Sequence, residues 1–174
     1  MKRFLGIAVI ALIASFSGEN IMAQTYKFGH INSDELIRAM PEYDSATVKL
    51  QKTNKELVNA LELMKVELNN KADAYTKEMK NLTDIVKQAK EQELQDMNNR
   101  IQEFQVNAQN KYQEEQTSVF QPIIAKADKA IKDVGKEGGY LYIFDIAKGP
   151  LVYFDETKST NVLALVKAKL GLKQ

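Results

Sequence analysis

The fold is decided by a long stretch from Ser45 to Gln121, whose central part (57–93) reads LVNALELMKVELNNKADAYTKEMKNLTDIVKQAKEQE. The stretch contains neither proline nor glycine. Its apolar residues recur at alternating steps of three and four, which keeps them on one face of a helix. This stripe consists of Leu57, Leu61, Met64, Leu68, Ala72, Tyr75, Met79, Leu82, Val86 and Ala89, followed by Leu94, Met97, Ile101, Phe104, Ala108 and Tyr112.

Such a helical run is either a straight rod or a hairpin, since helices of globular proteins average about 11–12 residues. The stripe weakens near Lys80 and again at 90–93, but only the first place offers turn and cap residues, in Asn81–Asp84. A rod would hold the strand-like segments on its two sides about 100 Å apart. We therefore predict an antiparallel helical hairpin whose tip lies near 81–84.

The first residues have the pattern of a secretory signal peptide. Lys2 and Arg3 precede an apolar run, Phe4–Phe16, and small residues follow up to Ala23. The run is shorter than the roughly 20 apolar residues of a membrane span. We predict cleavage after Ala23 and a soluble, exported mature chain, with an uncleaved anchor as the alternative. The sequence has no cysteine, which excludes disulfides, thiol catalysis and cysteine-ligated zinc.

The charge balance argues against a nucleic-acid partner. The chain has 24 basic and 23 acidic residues, and without residues 1–23 it has 22 of each. Nucleic-acid binding needs a basic patch, whereas residues 42–121 carry 11 basic and 14 acidic side chains. The long stretch is therefore slightly acidic.

The sequence segments before and after the hairpin are predicted to form one small β-containing body together. Strands are expected at Tyr26–Ile31 and Tyr140–Ile146, with Leu151–Phe154 antiparallel to the second of these. Pro122 should kink the second arm where it enters the body, and 162–170 form a last amphipathic helix. Three short strands do not close a sheet, so a symmetric oligomer is expected. The fold class is α+β and predominantly helical.

Candidate chemistry in the body is sparse. Asn32 and Glu35 have the spacing of a helix capping box, and Pro41 can open a helix. The single histidine, His30, has neither a second histidine nor a cysteine to form a metal site with. Because the sequence contains no catalytic set and no phosphate loop, we expect neither an enzyme nor a bound cofactor or metal.

The order of these features resembles the Skp/OmpH family of periplasmic chaperones for outer membrane proteins. The resemblance rests on Lys27–Asn32, Met40–Tyr43, the long charged hairpin and Gly139-Tyr140 before the strands, and it covers essentially all of the mature chain. It implies a homotrimer in a Gram-negative periplasm. Three hairpins, or tentacles, would enclose a cavity that holds unfolded outer membrane proteins without ATP. Well-known members are strongly basic, so a lipopolysaccharide site is not carried over to this neutral chain.

Mapped onto this sequence, 24–42 and 122–174 would form the trimerisation body and 43–121 the tentacle. The predicted function is an ATP-independent holdase, with a structural periplasmic coiled-coil or scaffold protein as the alternative. Candidates for the client-binding cavity wall are Met64, Leu68, Tyr75, Met79, Met97 and Phe104. Candidates for the body core or the trimer contact are Phe28, Ile31, Leu141, Ile143, Phe144, Val152 and Phe154.

Overall fold

The computed structural model describes residues 26–173, so the predicted signal peptide, 1–23, lies outside the described residues. Two long helices make up most of this part, and three short strands and two short helices form a body at one end. In chain order the elements are β1 (Lys27–Ile31), α1 (Ser33–Arg38), α2 (Pro41–Glu78), a 3₁₀ turn (Met79–Asn81), α3 (Asp84–Glu137), β2 (Tyr140–Asp145), a second 3₁₀ turn (Glu156–Lys158), β3 (Ser159–Asn161) and α4 (Leu163–Lys169).

The two long helices form an antiparallel hairpin, which confirms the predicted fold class. Helix α2 has 38 residues, so the first arm is about 57 Å long at about 1.5 Å per residue. The chain reverses through the 3₁₀ turn Met79–Asn81, and the extended Thr83 is the N-cap of α3. Ion pairs across the arms show the antiparallel register: Lys49 lies 2.6 Å from Glu115, and Lys90 lies 3.6 Å from Glu78.

The second arm enters the body as the same helix. Helix α3 runs for 54 residues and passes through Pro122 without a break. The residues just beyond the proline, Ile123 and Ala127, are buried in the body core. Their packing keeps the helix intact where proline removes one hydrogen-bond donor.

The sheet differs from the prediction in pairing and direction. Its order is β2-β1-β3, and both neighbours are parallel to β1. The predicted antiparallel strand at Leu151–Phe154 is therefore wrong, because this segment is irregular and the third strand is Ser159–Asn161. Hydrogen bonding decides the outcome: Val162 N–H donates to the His30 carbonyl at 3.0 Å and continues the β3 pairing.

The central strand of the sheet is not the most apolar one. The most apolar segment, β2, is an edge strand with Leu141, Tyr142 and Phe144 exposed, whereas β1 is central and buried from Gly29 to Ile31. A side chain at Gly29 would approach Val162, Ile143 and Tyr140 to 3.1–3.2 Å, so glycine allows the close packing of this strand.

The hydrophobic core lies where the C-terminal part of α3 packs on the sheet, α1 and α4. The predicted cap is confirmed, since Glu35 N–H donates to the Asn32 side chain at 3.0 Å, and Pro41 is the first residue of α2. The core residues are Ile31, Leu36, Ile37, Met40, Ala46, Ile123, Ala127, Ala130, Val134, Val162 and Val166.

Candidate interaction surface

The apolar stripe lies mainly in the seam between the two arms. Leu50, Met97 and Ile101 are buried, and Met97 is only 8% exposed. A buried thioether has little surface to offer another chain, so Met97 is a seam residue. Of the other cavity-wall candidates, Met64, Leu68, Tyr75 and Phe104 are half-buried and Met79 is exposed. These candidates do not form one exposed wall.

A second set of apolar residues, which the single-stripe pattern missed, points away from the seam. Leu63 is 71% exposed, and Val66 and Val106 are also exposed. Each lies two residues after a stripe position, at Leu61, Met64 and Phe104 respectively. Two residues rotate about 200° around a helix, so these side chains lie nearly opposite the seam. The sequence signal that could have found them is this two-residue offset.

We call Val58, Leu63 and Val66 the outer patch of the first arm. Val58 and Val66 are two helical turns apart on one row, with Glu62 between them, and Leu63 lies beside that row. All three apolar side chains are exposed in the hairpin. The outer patch therefore gives the middle of the arm an apolar surface within an otherwise charged helix.

The tip of the hairpin exposes apolar side chains as well. Ile85 is 81% exposed, and Met79 and Val86 are exposed beside it. Leu82, between the two helices, is half-buried. Neither arm can cover these residues because the chain reverses here.

Ion pairs and hydrogen bonds join the arms along their length. Near the body, Lys49 holds the pKa of Glu115 below its usual range through an ion pair of 2.6 Å. Farther out, the hydrogen bond from Lys71 lowers the pKa of Glu93. The hydroxyl of Tyr75 donates to Glu91 at 2.5 Å, and this bond raises the pKa of the phenol.

The base of the hairpin is fixed by mixed contacts. Lys126 donates a hydrogen bond to Glu42 and thereby lowers the pKa of that carboxyl. The ring of Tyr43, the next residue after Glu42, packs on that of Phe120 with the centroids 5.5 Å apart. These contacts join the start of α2 to α3 and so set the direction in which the hairpin leaves the body.

The open face of the sheet carries a row of aromatic rings. Phe28 stacks on Tyr142 with centroids 6.3 Å apart, and Tyr142 packs on Phe144 at 5.9 Å. Leu141 is exposed on β2, and Val152, in the irregular segment after it, is 98% exposed. Large apolar side chains in this arrangement are typical of a surface that another chain covers.

The remaining candidates for the body core, Ile31, Ile143 and Phe154, pack against other residues of the same chain. Ile31 is a core residue, and Ile143 packs partly buried against the core. The ring of Phe154 contacts that of His30, with centroids 4.8 Å apart, and His30 Nδ1 lies 2.9 Å from the Ser159 hydroxyl. His30 is thus a buried strand residue whose polar atom is paired.

Asp145 connects the end of β2 to the start of α1. Its Oδ1 accepts hydrogen bonds from the Ser33 amide at 3.1 Å and from the Ala147 amide at 3.0 Å. Partial burial acts to raise the pKa of Asp145, but its bonds to Ser33 and Ala147 outweigh burial and leave the pKa below the usual aspartate value. Within residues 26–173, no group of three His, Asp or Glu side chains is placed to hold a metal ion.

These observations define a class of protein: a long helical hairpin with exposed apolar patches, carried by a small body with a parallel sheet. The sequence model of the family described as outer membrane protein (OmpH-like) matches residues 27–170. The chain belongs to this OmpH-like family.

A solved structure supports the fold. The chain is similar to a crystal structure described as a putative outer membrane chaperone (OmpH-like) from Caulobacter crescentus CB15. The TM-score is 0.70 at 12% sequence identity, over 83% of each chain. No curated protein sequence matches the chain. Each helix in the described range 26–173 is too short or too polar to cross a lipid bilayer.

Proposed function

We propose that this protein is an ATP-independent holdase chaperone that keeps unfolded outer membrane proteins from aggregating in the periplasm. The observation that carries the proposal is a helical hairpin with apolar residues beyond those that its seam uses, in the outer patch and at the tip. Buried seam residues such as Met97 stabilise the hairpin, whereas Leu63 and Ile85 are accessible to a client.

The proposed chaperone suppresses aggregation through many weak contacts with its client. Unfolded barrel strands expose apolar side chains and unpaired edges that aggregate. A chaperone that binds them lowers the free concentration of the aggregating species by mass action. Small patches separated along an arm of about 57 Å suit this role, because no single contact is strong enough to prevent release.

The chaperone would act as a homotrimer formed by the body, 24–42 and 122–174, with residues 43–121 as the tentacle. Two features support self-association: the β2 edge with its stacked aromatic rings, and Val152, which is almost fully exposed. Three hairpins from one body would surround a cavity. The outer patch would line it, and Met79 and the exposed edges of Met64, Leu68, Tyr75 and Phe104 would add apolar surface beside the seam.

The proposed location is the periplasm, after cleavage behind Ala23. Neutral charge in the mature chain and the slightly acidic arms support apolar rather than long-range electrostatic capture of clients. Nucleic acid and lipopolysaccharide are not proposed as partners.

The test is aggregation of an unfolded outer membrane β-barrel diluted from denaturant, followed by light scattering, with the mature protein at increasing ratio. We expect suppression to be complete near one trimer per client. The matched control is a variant with Leu63, Val66 and Ile85 changed to Gln, which leaves the seam unchanged. Full aggregation in the presence of excess wild-type trimer would refute the proposal.

A structural scaffold is the second candidate, favoured by the buried seam at Met97 and Ile101. A scaffold would ignore unfolded clients and form a stable elongated particle. Solution mass with a small-angle scattering profile separates the two, because a hollow trimer supports the chaperone and an extended dimer supports the scaffold.

A further inference from the structure

Strand β2 (Tyr140–Asp145) has a strand neighbour on one side only. The order of the sheet is β2-β1-β3, so no strand in the described range 26–173 pairs with the outer edge of β2. An edge of this kind presents backbone N–H and C=O groups that can pair with a further strand. Leu141 and Tyr142 are also exposed on β2. The outer edge of β2 can therefore accept an extended segment through main-chain hydrogen bonds.

A groove of 500 Å³ lies beside this strand, between β2 and the last turns of α3. The chain reverses at Gly138 and Gly139, so α3 and β2 run in opposite directions along the groove. Lys136 therefore lies near the start of β2, whereas Asp128 lies near its end, together with Asp145. The groove thus has one basic end and one acidic end. The apolar part of its lining is Ile31, Ile131, Leu141 and Ile143.

The segment Leu151–Phe154 has the composition of a strand but is irregular in its own chain. Val152 is 98% exposed and Tyr153 is 81% exposed. The ring of Phe154 packs on that of His30 on β1, and the chain then continues into β3 on the far side of β1. The segment therefore cannot lie along the outer edge of β2 in its own chain.

We propose that Leu151–Phe154 of one copy adds as an antiparallel strand to the outer edge of β2 in a second copy. Charge decides the direction, since Lys148 precedes the segment and Glu156 follows it. Antiparallel placement brings Lys148 to the acidic end of the groove and Glu156 to its basic end. Parallel placement would bring like charges together at both ends. This inference rests on the proposed self-association of the body.

Such a contact joins two different surfaces, so each copy donates one segment and accepts another. Contacts of this head-to-tail type close into a ring when the rotation between the copies is right, and three copies would complete the proposed homotrimer. The contact would also remove Val152, Tyr153 and Leu141 from water, which are large apolar side chains that the single chain leaves exposed.

Disulfide formation between two single-cysteine variants tests the pairing, because the natural chain contains no cysteine. Mature Tyr153→Cys is refolded together with Leu141→Cys, or with Phe144→Cys as the matched control, and the linked peptides are measured by mass spectrometry. Antiparallel pairing places Tyr153 opposite the first half of β2. Three residues along a strand are about 10 Å, which is beyond the Cα separation that a disulfide allows.

We expect the bond from Tyr153→Cys to Leu141→Cys to form at least about tenfold faster than the bond to Phe144→Cys. Faster bonding to Phe144→Cys would overturn the antiparallel direction. Absence of a bond to either partner would overturn the strand addition.

Charge reversal at the basic end of the groove tests the direction independently. Lys136→Glu and Glu156→Lys should each raise the dissociation constant of the assembly about two- to fivefold per contact, as for loss of one exposed ion pair. The double variant should recover the wild-type value. The matched control is Lys55→Glu, an exposed position on the first arm that does not line the groove. The charge pairing is refuted if the two single effects add in the double variant, or if Lys55→Glu acts as strongly as Lys136→Glu.

The mass of the wild-type mature protein in solution separates this inference from the proposed function. A monomer at all concentrations would refute the proposed homotrimer and the strand addition together. An oligomer in which Tyr153→Cys and Leu141→Cys form no bond would refute the strand addition alone. Suppression of client aggregation is measured on the wild-type chain, so its outcome does not depend on the cysteine variants.

Discussion

The two sides of the hairpin arm should respond in opposite ways to truncation, with Leu63→Ala affecting clients and Met97→Ala affecting stability. Leu63 is 71% exposed and Met97 is 8% exposed. Burying a whole leucine side chain contributes about 1.5–3 kcal/mol. The buried three-tenths of Leu63 therefore corresponds to about 0.5–1 kcal/mol of folding free energy, and the better helix propensity of alanine offsets part of it.

Met97→Ala removes a side chain from a packed seam. The expected cost in the free energy of unfolding is about 2–5 kcal/mol, as for other large-to-small changes at buried positions. The same substitution removes almost no client-accessible surface. Its effect on client binding should be small when it is measured well below the unfolding transition.

The exposed part of the Leu63 side chain determines how much Leu63→Ala weakens the binding of clients. If a client covers that part, Leu63→Ala costs about 1–2 kcal/mol of binding free energy per contact. This is a factor of about 5–30 in Kd, since about 1.4 kcal/mol corresponds to tenfold. This loss of binding free energy is an upper bound for each arm, because the contacts with a client are mobile and the arms do not all contact the same segment of the client.

The assay compares both variants with wild type in urea unfolding, followed by circular dichroism, and in binding of an unfolded β-barrel labelled with a fluorophore. Leu63→Ala should leave the unfolding midpoint unchanged and weaken client binding. Met97→Ala should lower the unfolding midpoint and leave client binding unchanged. The reasoning is refuted if Met97→Ala weakens binding at unchanged stability while Leu63→Ala binds normally, because clients would then contact the seam and not the outer patch.

Three further predictions concern the body. Val152→Ser should leave the fold of each chain unchanged, because the side chain is 98% exposed, but should shift the proposed trimer to lower mass in a dilution series followed by light scattering. An unchanged dissociation profile would contradict a role of Val152 in the proposed trimer contact. Leu36→Ala should cost about 2–5 kcal/mol of unfolding free energy, because Leu36 is fully buried, and a loss below about 1 kcal/mol in urea unfolding would contradict the core assignment. Asp145→Ala should cost about 1–3 kcal/mol at neutral pH, because the amides of Ser33 and Ala147 lose their acceptor. Folding lowers the pKa of Asp145, so the stability that its carboxylate contributes is present above about pH 4 and is lost as the pH falls through the folded pKa. The difference in Tm between Asp145→Ala and wild type should therefore shrink from pH 7 to pH 3. A difference in Tm that does not change with pH would refute this role.

The local sequence pattern was sufficient to predict the long helices. The stripe from Leu57 to Tyr112 predicts helices, and Asn32 with Glu35 predicts a cap, because both depend on residues within a turn or two of one another. The same reasoning missed the outer patch. Leu63 and Val66 are ordinary helix residues in sequence, and only the position of the other arm makes one side of the helix a seam and the opposite side free.

The sheet shows where local pattern is insufficient. Leu151–Phe154 has stronger strand composition than Ser159–Asn161, yet the second segment forms β3. A strand exists only when its backbone finds an edge to pair with, and that edge, His30 on β1, is more than a hundred residues away in sequence. Likewise β2 has the composition of a covered central strand but lies at the sheet edge, because β1 already occupies the centre.

The sequence by itself determined that the chain forms a long helical hairpin with a seam, since helix periodicity is a short-range property of side-chain spacing. It also determined the likeness to the OmpH-like family, which depends on the order of segments along the chain. The tertiary structure decided the parallel sheet, the exposed rings on β2, and which side of each arm faces the other arm. These features depend on which distant groups meet, because burial and pairing belong to contacts between elements and not to any one of them.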